Sequence, residues 1–128
     1  RSIFVAESND EAEQFVMDPD GAFMHYYEYL FDIFERAELK PAFVANPDDD
    51  PSDLSPRHMV DSFVIRGDIL EVTRQLLDFH DQVGGFGTLL MTAHDWVDKT
   101  RMCRSMELMA TEVMPSLNKA LSVRTSAD

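Results

Sequence analysis

The sequence has little cysteine, little positive charge and no long hydrophobic run, and each scarcity excludes a class of protein. Its single cysteine, Cys103, excludes an internal disulfide framework and indicates a reducing compartment. Acidic residues number 24 against 11 lysines and arginines, and the net charge of -13 disfavours nucleic acid and anionic membrane surfaces as partners. No apolar run approaches the roughly 18 residues of a spanning helix, and no segment resembles a signal peptide. The composition therefore predicts a soluble, cytoplasmic protein that binds neither nucleic acid nor membrane.

Familiar catalytic and metal-binding motifs are also missing. The sequence has no G-x-S-x-G elbow, Walker loop, G-x-G-x-x-G or paired Cys-x-x-Cys. His25 and Glu28 have a metal-ligand spacing on one predicted helix, but without a second pair a solvated helix face is the preferred interpretation. The acidic run 46–53 lacks the turn glycine and terminal glutamate of a calcium loop. No metal site is predicted.

Local patterns predict three units of strand followed by helix. Short apolar segments predict strands at 2–6, 62–66 and 86–92. The S-x-x-E spacing of Ser8 and Glu11 predicts a helix start near residue 9. Asp68, with Glu71 three residues later, predicts a second capped start. The predicted helices lie at 9–17, 22–38, 69–83 and 99–114.

Three of these helices have a predicted buried face, and on the helix 22–38 it is a wide apolar packing face that includes Tyr26 and Tyr27. In the second unit of the chain, Gly84 and Gly85 end a helix whose apolar residues recur at spacings of three and four. In the last helix a methionine-rich stripe is interpreted as core rather than as a partner surface, and Pro115 is expected to let the helix end. The predicted stripes are Ile69, Val72, Leu76, Phe79 and Val83, and then Met102, Met106, Met109, Val113 and Leu117.

The whole chain, residues 1–128, is predicted to be a single partial domain. An acidic, proline-rich connecting loop is expected at 41–58 and a flexible tail at 121–128. The alternation of strands and helices predicts parallel pairing with right-handed crossovers. Three parallel strands would leave two edges and an apolar face uncovered, and a complete (β/α)8 barrel takes about 250 residues. We therefore interpret the chain as part of a larger barrel, and a closed, self-sufficient fold would contradict that interpretation.

The stretch 84–96 is the part around which the chain is organised. Its continuous apolar run favours a buried parallel strand, and His94, Asp95 and Trp96 follow the end of that strand. In open α/β sheets and barrels, ligands gather at the carboxyl edge. His94 is therefore the best catalytic candidate, with Asp95 able to orient its ring. The alternative is a structural histidine that ties the strand to the last helix.

Several segments resemble the closing part of a known enzyme family. They are Gly84-Gly-Phe-Gly-Thr-Leu-Leu, Ala93-His-Asp-Trp96, Arg104-Ser-Met-Glu-Leu-Met-Ala and Glu112-Val-Met-Pro115. The family is the luciferase-like flavin monooxygenases, in the branch that includes the limonene-type monooxygenases. The resemblance implies the C-terminal part of a (β/α)8 TIM-type barrel, with about three parallel strands and their helices. It further implies reduced FMN from a separate flavin reductase, O2, a small apolar organic substrate and the remaining N-terminal part of the barrel as partners.

The resemblance also assigns candidate residues. His94 would be catalytic, and Trp96 and Gly67 would contact the cofactor. Trp96 would lean over the flavin or line the pocket, or else pack beneath its own helix. Family members often have Gly, then Ser or Thr, then Pro and Glu at the second strand edge, whereas this chain has Gly67-Asp68-Ile69-Leu70. A carboxylate there would repel a phosphate, so a turn at Gly67 and a cap at Asp68 are the simpler roles.

Other functional hypotheses remain open from sequence. The main alternative is a non-catalytic α/β module that self-associates through its exposed sheet, and a homo-oligomer is expected under either hypothesis. A barrel that uses a deazaflavin cofactor would share the fold. Without the rest of a barrel, the chain is expected neither to hold FMN tightly nor to turn over. The sequence leaves the substrate, and the choice between Baeyer–Villiger oxidation and hydroxylation, undecided.

Overall fold

Two short strands, paired in parallel, lie between two groups of helices. A computed structural model of the protein describes residues 1–44, 48, 50–94 and 97–125. Strand β1 spans Ser2–Val5 and strand β2 spans Val64–Gly67. Ser2 pairs with Val64 and Val5 with Gly67, so the strands run side by side in one register. The predicted parallel pairing of the first two strands is confirmed.

The two faces of this sheet are covered by different helices. Phe4 on β1 faces one cluster of buried side chains, whereas Ile3 and Val5 face another, because successive strand residues point to opposite faces. We call the cover on the Phe4 face the aromatic layer; it contains α1 (Asn9–Val16), α2 (Ala22–Arg36) and α3 (Pro56–Phe63). We call the cover on the other face the aliphatic layer; it contains α4 (Ile69–Gln82), the end of α5 (Lys99–Leu108) and α6 (Met114–Thr125). Short 3-10 turns lie at Lys40–Ala42 and Pro51–Asp53.

The predicted helix caps form as expected. Ser8 Oγ accepts a hydrogen bond from the Glu11 amide at 3.2 Å. Asp68 Oδ1 accepts one from the Glu71 amide at 2.8 Å. Of the two predicted caps for the last helix, Asp98 accepts from the Arg101 amide at 3.0 Å, and Asp95 lies outside the described residues. Each bond satisfies an amide that the first helical turn leaves free.

The third predicted strand, 86–92, is wrong. Among the described residues of this segment, only Thr92 pairs with the sheet, through an isolated parallel bridge to Ser2 in which the Thr92 amide donates to the Arg1 carbonyl at 2.9 Å. Leu90 O accepts a hydrogen bond from Arg1 N at 2.8 Å, but residues 86–91 do not form a strand. A strand needs an edge with free amides and carbonyls, and farther along β1 that edge is used by a helix side chain at Val5.

Side chains from helices occupy both edges. The Ala6 amide bonds to Gly67 O across the sheet, so the Val5 amide points to the opposite edge, where Ser105 Oγ accepts its hydrogen bond at 2.8 Å. On the outer edge of β2, the Gln75 amide donates to Arg66 O at 2.8 Å and accepts from Arg66 N at 3.4 Å. Gln75 thus makes the pair of bonds that a neighbouring strand would make. The predicted exposed sheet is wrong as well, since both faces and these edge groups are covered.

Helix α3 was not predicted. Ser55 Oγ accepts from the His58 amide at 3.3 Å and Pro56 occupies the first helical turn, where its missing N–H costs nothing. The helix takes the end of the expected 41–58 loop and delays the start of β2 from residue 62 to Val64. Residues 45–47 and 49 of that loop lie outside the described residues.

The last helix is longer than expected and contains a widened turn. After α5, the turn Met109–Val113 has π-helical bonding, and the Met114 amide donates to Met109 O, five residues back. Pro115 follows at once and was wrongly expected to end the helix. In a regular helix, proline has no N–H to donate to the carbonyl four residues back, and its ring clashes with that carbonyl. The widened turn lies just before Pro115, where it changes the hydrogen-bond spacing. The helix continues to Thr125, into the segment expected as a tail; residues 126–128 lie outside the description.

The methionine stripe is confirmed except at one position. Met102, Met109, Val113 and Leu117 are buried, whereas Met106 is 46% exposed. The buried line passes instead through Ser105, which is fully buried and bonded to β1. Tying Ser105 to the strand turns the adjacent Met106 outward.

Candidate functional site

His94 is held by a short chain of hydrogen bonds to the sheet and to α2. Its Nε2 lies 2.8 Å from Ser2 Oγ, and the same Ser2 oxygen lies 3.1 Å from the Tyr27 hydroxyl. Ser2 is the first residue of β1, and Tyr27 projects from the middle of α2. Ser2 and Tyr27 are both buried. The bridge at Thr92, two residues earlier, brings His94 to this position.

Aromatic rings enclose the imidazole. The Tyr26 ring centroid lies 4.1 Å from that of His94 with planes tilted by 36°, and Phe23 meets the same ring edge-on at 5.0 Å and 72°. Burial among these rings lowers the pKa of His94, because a charged imidazole loses more hydration than a neutral one. The ring is therefore neutral near pH 7.

A cavity of about 560 Å³ opens beside His94. Tyr26 and Tyr29 of α2 form one side, Phe15 of α1 forms another, and Val97 lies at the rim. Flat rings on several sides suit a planar or compact apolar ligand. This cavity combines apolar walls with His94, a site residue predicted from the sequence, and we therefore treat it as the candidate site.

The charges at this cavity are mostly negative. Asp18, Asp20 and Asp98 contribute carboxylates to its lining. The only guanidinium in its described lining, that of Arg101, lies 3.4 Å from Asp98 Oδ2 and over the Phe15 ring, 5.5 Å from its centroid. The carboxylates disfavour an anionic ligand, and Arg101 is already paired with one of them.

Gly67 lies at the other end of the sheet and has a structural reason to be glycine. Its φ is 146°, and an added Cβ would lie 2.7 Å from Asn9 Oδ1 and 2.8 Å from Glu71 Cγ. The Asn9 oxygen accepts a hydrogen bond from the Asp68 amide at 2.8 Å. Gly67 thus permits the tight turn that joins β2 to α4 and lets α1 approach it.

The hollow beside Gly67 is acidic. Glu13, Asp61 and Glu71 line it. Its one arginine, Arg66, already bonds Glu13 at 2.6 Å and Asp61 at 2.7 Å. This charge distribution is unfavourable for a phosphate.

The structure does not bring the predicted site residues together. His94 contacts Ser2, whereas Gly67 pairs with Val5, three strand residues away and therefore about 10 Å along the sheet. His94 was expected past the carboxyl edge of its own strand; it lies instead against the first residue of β1, because that third strand is not formed. Trp96, the other predicted cofactor contact, lies outside the described residues.

Sequence reasoning missed Ser2 and Tyr27. Tyr26 and Tyr27 had been assigned to a packing face of α2, and Ser2 to the start of a strand. Ser2 and Tyr27 each place a hydroxyl group on a segment with a strongly apolar composition. Because buried hydroxyls need hydrogen-bond partners, these two groups could have been identified as candidates for a polar contact. Within the described residues, no group of three or more His, Cys, Asp or Glu side chains is placed to hold a metal ion. No helix among them is long and apolar enough to cross a membrane.

Comparison with known proteins gives consistent relatives. No family model matches the chain. It is 30% identical over 118 residues to 3,6-diketocamphane 1,6-monooxygenase of Pseudomonas putida. This alignment covers 91% of this chain and 31% of that protein. It is 27% identical over 120 residues to 2,5-diketocamphane 1,2-monooxygenase 2 of the same organism, covering 91% of this chain and 33% of that protein. The chain thus spans about a third of the length of the relatives it matches.

A solved structure shows the same similarity in three dimensions. It is a type II Baeyer–Villiger monooxygenase, the oxygenating constituent of 3,6-diketocamphane monooxygenase from Pseudomonas putida, in complex with FMN. The two structures match with a TM-score of 0.78 and 29% identity, over 90% of this chain and 32% of the other. The relatives are therefore flavin monooxygenases of the diketocamphane type; no limonene monooxygenase is among these matches.

The described residues suit one half of FMN and not the other. The rings of Phe15, Tyr26 and Tyr29 could line one side of a flat isoalloxazine. A phosphate, however, needs free cations or a helix N-terminus with unused amides, and the cavity offers carboxylates and a paired Arg101. The chain is similar to about a third of an FMN-binding monooxygenase, and the described lining of its His94 cavity is unfavourable for the phosphate.

Proposed function

We propose that this chain is the C-terminal part of an FMN-dependent monooxygenase that uses reduced flavin and O2 to oxidise a small apolar organic substrate. The proposal includes a (β/α)8 barrel whose N-terminal part lies outside this chain, and a separate reductase that supplies the reduced flavin. Strands of that N-terminal part would have to replace Ser105 and Gln75, whose side chains bond the sheet edges at Val5 and Arg66. The observation that carries it is the TM-score of 0.78 at 29% identity to a monooxygenase in complex with FMN. An extended match at that identity supports related function more strongly than a shared fold alone would.

The reaction favoured within that class is oxygen insertion next to a ketone. The solved relative, the oxygenating constituent of 3,6-diketocamphane monooxygenase, is a type II Baeyer–Villiger monooxygenase, and a 2,5-diketocamphane monooxygenase also matches the chain. Apolar walls and surrounding carboxylates at the His94 cavity suit a neutral ketone better than an acid. Reduced FMN, when bound, would supply the electrons for oxygen activation.

The chain's own contribution is a wall of the reaction pocket. Tyr26 and Tyr29 would exclude water and orient an apolar ligand, and His94 would present its ring to that ligand. Because the described linings of the His94 cavity and of the Gly67 hollow are unfavourable for a phosphate, the phosphate would be bound by the rest of the barrel. Trp96 as a flavin contact stays a prediction. The carboxylates around Gly67 favour its role as a turn residue over that of a cofactor ligand.

No observation favours the self-associating module. That hypothesis depended on an apolar sheet face that is open to solvent. In the structure, both faces of the sheet are covered by helices. The edge groups of Val5 and Arg66 are also bonded to helix side chains. Self-association through the sheet would first require α4 or α5 to detach.

Native mass spectrometry tests the proposed function. Protein isolated from its own source is measured by gentle electrospray with and without added FMN. We expect this sequence inside a larger polypeptide or assembly that retains one FMN per assembly. A chain of this length alone, or a simple multiple of it, with no flavin retained would contradict the proposal. The 128-residue chain expressed by itself is the matched control and is expected to retain no FMN.

A further inference from the structure

We infer that Ser2, in a hydrogen-bond chain that begins at Tyr27, holds His94 in the tautomer that carries its proton on Nδ1, and that this N–H donates a hydrogen bond to the carbonyl oxygen of a neutral ketone in the cavity. Ser2 is a positioning residue, because it acts through the imidazole. The inference deepens the proposed function and rests on it for the ketone. Its first half, the tautomer, stands on the geometry of this chain alone.

Counting donors and acceptors identifies the tautomer. Ser2 Oγ has two recorded partners, His94 Nε2 at 2.8 Å and the Tyr27 hydroxyl at 3.1 Å. It can give its single hydrogen to only one of them. If Tyr27 donates to Ser2 and Ser2 donates to His94, every hydroxyl hydrogen has an acceptor. Nε2 is then an unprotonated acceptor, so the neutral ring carries its proton on Nδ1.

The other arrangements leave a buried hydrogen without an acceptor. If His94 donated from Nε2 to Ser2, and Ser2 donated to Tyr27, the phenolic hydrogen would have no recorded acceptor among the described residues. If both neighbours donated to Ser2, the serine hydrogen would be left over. Tyr27 is 5% exposed and Ser2 is 6% exposed. Both also line a cavity of about 230 Å³, whose other walls are mostly apolar side chains and therefore disfavour an ordered water. An unsatisfied buried donor costs about 1–3 kcal/mol, which selects the first arrangement.

The remaining ring nitrogen is available to a ligand. Among the described residues Nδ1 has no recorded hydrogen bond, whereas Nε2 is bonded to Ser2. The ring lines the cavity beside Tyr26, and burial keeps it neutral. A single N–H donor set among aromatic walls recognises an acceptor oxygen on an otherwise apolar molecule. Carboxylate ligands, which also offer acceptors, are repelled by Asp18, Asp20 and Asp98.

Ring nitrogen NMR tests the tautomer. The 128-residue chain is labelled with 15N in its histidine rings, and long-range 1H–15N correlations are recorded near pH 7.5 without flavin. We expect the proton of His94 almost entirely on Nδ1. In Tyr27→Phe the serine hydrogen still has His94 Nε2 as its only acceptor among the described residues, so the proton on Nδ1 should be retained. Tyr26→Phe is a matched control, because Tyr26 contacts the same ring without a recorded hydrogen bond to it, and should also leave the tautomer unchanged.

A second pair of variants separates the hydroxyl from the volume at position 2. Ser2→Thr keeps the hydroxyl and should retain the Nδ1 proton, whereas Ser2→Ala should lose it. Wild-type protein with the proton on Nε2, or a Ser2→Ala variant with an unchanged tautomer, would overturn the inference. Because these spectra contain no flavin, failure to bind FMN would contradict the proposed function without affecting this result.

Camphor, a bicyclic ketone, tests the ligand class. Camphor is titrated into the labelled 128-residue chain, and the NMR signal of the His94 Nδ1 proton should move downfield until binding saturates. Bornane, the same skeleton without the oxygen, should leave that signal where it is. Loss of one neutral hydrogen bond, about 0.5–1.5 kcal/mol, predicts camphor binding about 3- to 10-fold weaker in Ser2→Ala than in the wild type. Equal responses to camphor and bornane, or no response to either, would refute the ketone assignment.

Discussion

The two layers that cover the sheet are built from different side chains and serve different purposes. The aromatic layer packs rings of Phe4, Phe15 and Phe23 against one another, with centroids 4.2–6.2 Å apart. The aliphatic layer instead fills its core with branched chains and methionine, among them Val72 and Leu76. Aliphatic chains contribute only apolar surface, whereas tyrosine rings combine a large apolar face with a polar hydroxyl. The His94 cavity lies on the aromatic side, and the aliphatic side is scaffold.

The largest effect should come from opening the aliphatic layer. Leu76→Ala removes a fully buried side chain from α4 and should lower the free energy of unfolding by about 2–5 kcal/mol. Leu70→Ala on the same helix is the control, because Leu70 is 81% exposed, and should change stability by less than about 0.5 kcal/mol. Urea denaturation of both variants measures the difference. Equal losses would mean that this layer is not packed as described.

The next effect concerns Gly67, where α1 of one layer meets α4 of the other. Gly67→Ala forces an L-residue to φ 146° and places its Cβ 2.7 Å from Asn9 Oδ1. The backbone strain alone should cost about 1–3 kcal/mol, and the clash adds to it. Gly87→Ala, whose Cβ would meet nothing within 4 Å, is the control. Thermal unfolding should show a clear loss for the first variant and almost none for the second.

A smaller loss is expected at the edge of β1. Ser105→Ala leaves the buried Val5 amide without its acceptor and should cost about 1–3 kcal/mol. Hydrogen exchange at the Val5 amide should also become faster. Ser116→Ala, an exposed serine on α6, should alter neither quantity. Slow exchange at Val5 in the Ser105 variant would show that something other than this hydroxyl closes the edge.

The smallest effect is a pH dependence that originates in the aromatic layer. Burial lowers the pKa of folded His94 below the unfolded value near 6.5, so the unfolded chain takes up the proton first as the pH falls. This contribution to stability is complete above pH 6.5 and is lost as the pH falls toward the folded pKa. Wild type should therefore lose more unfolding free energy than His94→Asn between pH 7.5 and 5.5. Parallel curves for the two proteins would mean that the imidazole is not desolvated.

Local features of the fold were predictable from sequence. The caps at Ser8 and Asp68 each depend on an amide three residues away, and the glycines at 84 and 85 have positive φ angles of 74° and 96°. Helix α3 also had a local signal, because Ser55 followed by Pro56 is a typical helix start. That signal was not used, because residues 41–58 were assigned to an acidic loop. The buried stripe at Val72 and Leu76 follows directly from helical periodicity.

The candidate site was only half predictable. His94 was identified from its place after an apolar run, but its partners lie far along the chain: Ser2 is 92 residues away. The prediction of a third strand was wrong for the same reason: it depended on contacts between segments that are distant along the chain. Phe86 and its neighbours have a strand-like composition, yet strand formation depends on a free edge, and the composition of a segment carries no information about that edge.

By itself the sequence determined the two paired strands, most of the helices and the acidic character of the surface, because those depend on residues within a few positions of one another or on simple sums. Tertiary structure decided which groups close the sheet and where His94 lies. Ser105 reaches Val5 across 100 residues, and Ser2 joins His94 to Tyr27. A hydrogen bond of this kind requires that two distant segments already be packed side by side, and only the folded chain supplies that condition.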